Sequence, residues 1–131
     1  MSGSKALLDT NVIIFASQQK IDTEKLLSQY DEFYVSIITY MEVYGYEFER
    51  EEEKKLIDEL FEGLIIIDIN KSIAEQTIIY RKNKVKKIKL PDAIILATAK
   101  HVDAALITDD WDDFRDIDHE VNITDIESIK N

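Results

Sequence analysis

Short apolar runs alternate with longer helical segments along this chain, and the alternation constrains its fold more than any other feature. Four runs have the composition of buried strands because they are rich in branched apolar residues: 5–8, 33–37, 64–69 and 105–108. A short fifth strand is expected at 120–123. Strands that alternate with helices predict an α/β fold in which a parallel sheet carries helices on both faces.

Several of the predicted helices have recognisable starting residues. Asp22 is expected to cap one helix, and Thr39, three residues before Glu42, has the spacing of a capping box. Pro91 suits the first position of a further helix. The helices are predicted at 11–18, 22–30, 50–61, 72–86 and 91–101, with one more containing Glu42.

Nothing in the composition marks a boundary between domains. The chain has 131 residues, 45% of them hydrophobic, with only three glycines and one proline, so one domain over 1–131 is expected. No apolar run approaches the ~18 residues of a membrane span, and no secretory signal follows the polar start. We therefore expect a cytoplasmic protein without membrane contact.

Acidic residues stand in unusual apolar settings at separated places. Asp9 ends the first predicted strand, Asp109 and Asp110 follow the fourth, and Asp92 opens a helix. Glu42 lies on a mostly apolar, aromatic helix, where a carboxylate on the buried side would be costly unless paired or bound to a cation. Each aspartate alone has a structural alternative as a helix cap or turn residue. Because parallel sheets bind ligands beyond the carboxyl ends of their strands, we expect these acids to share one crevice.

A group of carboxylates predicts a divalent cation. Neighbouring carboxylates raise one another's pKa, and a cation removes the conflict. The chain has no cysteine, so oxygen ligands are expected, which favours Mg²⁺ or Mn²⁺ over zinc. Such an ion acidifies a bound water and offsets the charge that builds on a phosphate during hydrolysis. His101 and His119 are expected to be surface residues, because this chemistry needs neither.

The charge of the chain is unevenly distributed. The net charge of −11 argues against a nucleic-acid partner, yet six of the sixteen basic residues fall within 81–89, and no acid lies between 76 and 91. This run leads directly to Asp92, so it is a candidate for steering RNA phosphates toward the crevice. The alternative is a solvated helix end. The candidate RNA-binding residues are Arg81, Lys82, Lys84, Lys86, Lys87 and Lys89.

Four segments, taken in order, resemble the PIN-domain family and, within it, the VapC-type toxins of toxin–antitoxin pairs. The segments are 8–12 (LDTNV), 36–45 (SIITYMEVYG), 92–99 (DAIILATA) and 108–114 (TDDWDDF). The first alone is a weak signal, but four at these spacings are specific, and the resemblance covers nearly the whole chain.

The resemblance implies roles for individual residues. The implied catalytic acids are Asp9, Glu42, Asp92 and Asp110, of which all but Glu42 are implied metal ligands. Asp113 is a second candidate for the fourth acid, and Asn11 and Thr108 match polar positions that support the cluster. Asp109 matches no fixed acidic position.

The resemblance also implies properties of the whole protein. It implies a three-layer fold of four to five strands in the order 3-2-1-4-5. It further implies Mg²⁺ or Mn²⁺ as cofactor, RNA as substrate, a homodimer and a cognate antitoxin.

Other classes of function share parts of this pattern. A haloacid-dehalogenase-like phosphatase also has an aspartate after its first strand, but needs a second two residues later, where this chain has Asn11. Neither its later lysine nor the acidic pair and switch lysine of a receiver domain has a clear counterpart. A PIN-like module that only binds RNA or protein is the third alternative, although the presence of all four acids favours an enzyme.

Overall fold

The computed structural model describes residues 4–131 and consists of strands that alternate with helices. The strands are β1 (Lys5–Leu8), β2 (Glu32–Ser36), β3 (Ile65–Ile67), β4 (Ala105–Ile107) and β5 (Ile123–Thr124). The helices are α1 (Thr10–Ser17), α2 (Thr23–Ser28), α3 (Ile37–Tyr44), α4 (Glu51–Glu62), α5 (Lys71–Arg81), α6 (Leu90–Val102) and α7 (Trp111–Phe114), and a 3₁₀ turn covers Glu127–Ile129.

The strands form one parallel sheet in the order β3-β2-β1-β4-β5, which confirms the predicted fold class and strand order. β1 lies at the centre, with Leu7 opposite Tyr34 of β2 on one side and Leu106 of β4 on the other. The pairings are parallel because helical connections return the chain to the same end of the sheet. The strand order reverses between β1 and β4, and the carboxyl ends of these two strands therefore flank a crevice.

Helices cover both faces of the sheet because successive side chains of β1 point in opposite directions. Ala6 and Leu8 belong to one core with residues of α1 and α4, whereas Leu7 belongs to a second core with residues of α5 and α6. α6 is buried along Ala93–Ala99, since it contacts both α5 and the sheet. Within residues 4–131, no helix is long and apolar enough to cross a membrane.

The start of α3 differs from the sequence prediction. Ser36, not Thr39, caps this helix, and its side chain accepts a hydrogen bond from the N–H of Ile38 at 3.2 Å. The prediction was wrong because Ile37 and Ile38 are β-branched and were read as the end of a strand and its connection. The chain instead passes from β2 into α3 without a loop, which places Thr39 inside the helix.

Several other ends of helices and strands differ from the predicted positions by a few residues. α5 ends at Arg81 rather than near position 86, because the side chain of Asn83 accepts the N–H groups of Val85 and Lys86 and forms a turn. The fifth strand lies at 123–124 rather than 120–123, and Pro91 is the second residue of its helix. The third strand covers only three residues of the apolar run at 64–69, and two of its side chains are exposed at the edge of the sheet.

The core position of α6 gives a stability prediction. Leu96 is fully buried, so Leu96→Ala should lower the free energy of unfolding by about 2–5 kcal/mol through lost burial and a residual cavity. Ile79, on α5, is 63% exposed, and Ile79→Ala should change that energy by less than about 0.5 kcal/mol. Urea unfolding of both variants measures the difference, and equal effects would contradict the described packing.

Candidate active site

Asp9 joins the ends of the two central strands. It follows β1, is 7% exposed, and caps α1 by accepting the N–H of Thr10 through Oδ1 at 2.8 Å. Its other oxygen, Oδ2, accepts the hydroxyl of Thr108 at 2.8 Å. Asp9 is therefore a helix cap, as its structural alternative required, and it also lies at the crevice between β1 and β4.

Thr108 connects Asp9 to the next acidic segment. It is fully buried directly after β4 and accepts the N–H of Asp110 at 2.9 Å while it donates to Asp9. A hydroxyl can donate one hydrogen bond and accept others at the same time, which suits threonine to this position. The bonds of Thr108 thus fix the loop after β4 relative to the end of β1.

Glu42, a residue of α3, lies at the same carboxyl end of the sheet as Asp9. Its Oε1 accepts the hydroxyl of Thr10 at 2.7 Å, and the hydroxyls of Thr10 and Thr39 are 3.1 Å apart. Glu42 is exposed, so the expectation that it lies on the buried side of its helix was wrong. The reason is that α3 buries the face of Thr39 and Val43 instead.

Thr10 and Thr39 were assigned no role in the site from the sequence, yet the structure places both beside Glu42. Thr10 directly follows Asp9, and Thr39 lies one helical turn before Glu42. These two spacings could have indicated both residues. The spacing of Thr39 and Glu42, however, was interpreted as a capping box.

The carboxylates influence one another's protonation. Burial raises the pKa of Asp9 to about 7, with smaller contributions from Asp92 and Asp109, against hydrogen bonds that lower it. Burial also raises the pKa of Asp92 to about 6, followed by the charges of Asp113, Glu42 and Asp110. The structure therefore brings acids from all four predicted segments into mutual electrostatic range.

Asp109 and Asp110 add to this cluster after β4. The pKa of Asp110 is raised, first by burial and then by Asp109 and Asp113. The Oδ1 atom of Asp109 is buried without a hydrogen-bond partner among residues 4–131. Asp109 was assigned no role from the sequence, because it matches no fixed acidic position of the family that the chain resembles.

The donor set suits a hard divalent cation. Within residues 4–131, no three acidic or histidine side chains already lie close enough to hold one ion together. Mg²⁺, however, is usually bound through only one or two carboxylates plus water and substrate phosphate. The cluster supplies oxygen atoms alone, including the unpartnered Oδ1 of Asp109, and His101 and His119 are exposed as expected. These residues therefore fit Mg²⁺ or Mn²⁺ better than zinc.

The basic run divides into residues with different surroundings. Arg81 donates to the backbone carbonyl of Ile88 at 2.7 Å, and Lys86 donates to two backbone carbonyls of the segment that contains α7. Lys89 is exposed and close enough to lower the pKa of both Asp92 and Asp110. The three remaining members, Lys82, Lys84 and Lys87, are exposed.

A cavity lies elsewhere on the protein. It has a volume of about 660 Å³ and is lined by Leu56 and Leu60 of α4, by residues of α1 and α2, and by Ile21 of the connection between α1 and α2. None of the site carboxylates lines it. We place the candidate site at the carboxylates, because chemistry on a phosphate depends on charged oxygen atoms rather than on cavity size.

Comparison with known proteins identifies the family. The family model described as the PIN domain matches residues 6–120. No curated protein matches the chain significantly. A chain of a toxin–antitoxin complex from Klebsiella pneumoniae is 32% identical, with a TM-score of 0.71, and the match covers 90% of this chain and 99% of that one.

Further solved structures share the fold. A chain of VapBC-1 from nontypeable Haemophilus influenzae is 25% identical over 92% of this chain and 97% of its own, with a TM-score of 0.74. A chain of the DNA-bound VapBC of Salmonella typhimurium has a TM-score of 0.78 at 24% identity, covering 93% and 98%. The chain therefore belongs to the PIN-domain family, as its motifs predicted, and its structural neighbours include chains of VapBC toxin–antitoxin complexes.

Proposed function

We propose that this protein is a metal-dependent endoribonuclease and the toxin of a VapBC-type toxin–antitoxin pair. The observation that carries the proposal is the convergence of four chain-distant acids, Asp9, Glu42, Asp92 and Asp110, at the reversal point of a PIN-type sheet. Each of these carboxylates lies in the electrostatic field of another, and this arrangement is energetically unfavourable unless a cation binds there.

The proposed ligands of Mg²⁺ or Mn²⁺ are Asp9, Asp92 and Asp110. When bound, the ion would supply an acidified water and positive charge for hydrolysis of a phosphodiester bond. Thr108 orients Asp9 toward the crevice, and Thr10 holds Glu42 by the bond to Oε1. Glu42 is exposed and ready to accept a proton at its other oxygen from an attacking water.

Asp113 is a second acid near Asp92. It contributes more to the raised pKa of Asp92 than Asp110 does, and it comes from α7 rather than from the loop after β4. We infer that Asp113 lies near both Asp92 and Asp110, because its charge raises the pKa of each.

RNA is the proposed substrate, and a protein antitoxin the proposed partner. The exposed cation of Lys89 beside the acids suits a phosphate that approaches the cluster, which would otherwise repel it. The antitoxin is supported by the toxin–antitoxin complex in which the 32% identical chain occurs. A homodimer, a cytoplasmic location and a single domain over 1–131 are further parts of this proposal.

The alternatives have less support. Family membership argues against a phosphatase of the haloacid-dehalogenase type, and Asn11 is exposed where that family needs its second aspartate. A module that only binds RNA would gain nothing from the cost of clustered carboxylates.

The first prediction concerns cleavage of RNA. The purified protein should cut single-stranded RNA with Mg²⁺ or Mn²⁺ but not with EDTA, and Asp92→Asn should lower the rate at least about 100-fold by removing a ligand. Asp103→Asn is the matched control, because Asp103 is exposed at the other end of α6, where its φ of 58° suits asparagine. Cleavage that persists in EDTA, or equally in Asp92→Asn, would refute the proposed mechanism.

The second prediction separates the two acids after β4. Asp113→Asn should weaken Mn²⁺ binding as Asp110→Asn does, because the carboxylate of Asp113 adds negative charge near Asp92. Isothermal titration calorimetry of both variants with MnCl₂ measures the two dissociation constants. A large effect of Asp110→Asn with none of Asp113→Asn would return the fourth position to Asp110 alone.

The third prediction concerns the cost of the site without a metal. The pKa values of Asp9 and Asp92 rise from 3.8 to about 7 and about 6, so the folded state binds these protons more tightly than the unfolded state. Their contribution to stability is complete below pH 3.8 and is lost as the pH rises through about 6 to 7.

Urea unfolding in EDTA at several pH values measures this linkage. Asp92→Asn should gain stability relative to the natural protein as the pH rises from about 4 to 7, since an amide does not ionise. Added Mg²⁺ at pH 7 should stabilise the natural protein more than the variant. A stability difference between the two proteins that does not depend on pH would contradict the raised pKa of Asp92.

A further inference from the structure

Lys86 differs from the other lysines of its basic run. It is half-buried, whereas Lys82, Lys84, Lys87 and Lys89 are exposed. Its ammonium group donates to the backbone carbonyl oxygens of Asp112 and Arg115, the latter at 2.6 Å. A cation engaged in this way is not available to a phosphate unless it first gives up these bonds.

Hydrogen bonds fix the turn that carries Lys86. Asn83 Oδ1 accepts the N–H groups of Val85 and Lys86, each at 2.9 Å. Beyond the turn, Arg81 holds the carbonyl of Ile88, whose side chain is buried. The turn is therefore fixed at both ends, which lowers the entropic cost of holding one long side chain in place.

α7 needs support of this kind. It has four residues, too few to be stable alone, and its internal backbone bonding is limited to about one turn. Its last carbonyl groups have no partner within the helix, and a cation at a helix C-terminus satisfies them. Phe114, 1% exposed, anchors α7 to the core, and Lys86 anchors the backbone on either side of Asp113.

We propose that Lys86 is a positioning residue that holds α7 in place, and with it Asp113 near the other acids, rather than a contact for RNA phosphate. This inference rests on the proposed function, because it assigns Lys86 to the geometry of the metal site. It separates Lys86 from Lys89, which is exposed beside the acids and remains the cation for phosphate.

The test compares Lys86→Met, which keeps the aliphatic stem, with Lys86→Arg, which keeps the charge. Lys55→Met is the matched control, because Lys55 is exposed on α4. Calorimetric titration with MnCl₂ should show about tenfold weaker binding for Lys86→Met, the typical effect of losing a hydrogen bond to a charged group. Lys86→Arg should recover part of this loss, and Lys55→Met should match the natural protein.

RNA binding distinguishes positioning from phosphate contact. In EDTA, where no cleavage is expected, a fluorescent single-stranded RNA should bind Lys86→Met and the natural protein with the same dissociation constant, while Lys89→Met binds more weakly. Weaker RNA binding by Lys86→Met together with unchanged Mn²⁺ binding would overturn the proposal.

Amide hydrogen exchange tests whether Lys86 anchors α7, independently of metal or RNA binding. The N–H groups of Asp113 and Arg115 are bonded within α7, and they should exchange faster in Lys86→Met than in Lys55→Met. Unchanged exchange would overturn the anchoring role, even if metal binding changed. If the natural protein bound neither Mn²⁺ nor RNA, the proposed function would fail, and the exchange data would still decide whether Lys86 anchors α7.

Discussion

The candidate site depends on one hydrogen bond between the ends of two parallel strands, the bond from Thr108 to Asp9. β1 and β4 are neighbours although most of the chain separates them, and their pairing brings Thr108 to Asp9 Oδ2 at 2.8 Å. Asp9 also caps α1, so its carboxylate is fixed by the strand before it, the helix after it and the strand beside it. The charges of Asp92 and Asp109 act on this fixed carboxylate and raise its pKa.

The clustered carboxylates lower the stability of the fold and, in return, provide the oxygen atoms of the candidate site. Asp9 is nearly buried, and acids from α3, α6 and the segment after β4 add charge of the same sign nearby. The rest of the fold supplies the compensation: two apolar cores, one on each face of the sheet, and a central helix buried along Ala93–Ala99. The scaffold can therefore hold Asp92 in the first turn of α6 at a position where an isolated carboxylate would be unfavourable.

Local patterns predicted most of the fold. The alternation of apolar runs with helical segments predicted the parallel sheet, and the acids after the runs at 5–8 and 105–108 predicted a shared crevice at its carboxyl end. The strand order was implied only by the resemblance to the PIN-domain family. The cap of α3 was mispredicted, since β-branched Ile37 and Ile38 have strand propensity that the tertiary structure overrides.

What the sequence could not show are contacts between distant segments. The exposure of Glu42 follows from which face of α3 packs on the sheet, and the inward turn of Asp109 follows from the loop after β4. Lys86 looked like its neighbours, because only the folded chain places its ammonium group against the carbonyls of Asp112 in α7 and of Arg115 after it. Helical and strand periodicities carry no information on such pairings.

The central claim is that separated acids form one divalent-cation site at the edge of the sheet. A crystal of the protein soaked in MnCl₂ tests it directly, through anomalous diffraction at the manganese edge. The account predicts a strong anomalous peak at about 2.1 Å from a carboxylate oxygen of Asp9 or Asp92, inside the ring of acids. A crevice without such a peak, in a crystal whose manganese is bound at other surface carboxylates, would contradict it.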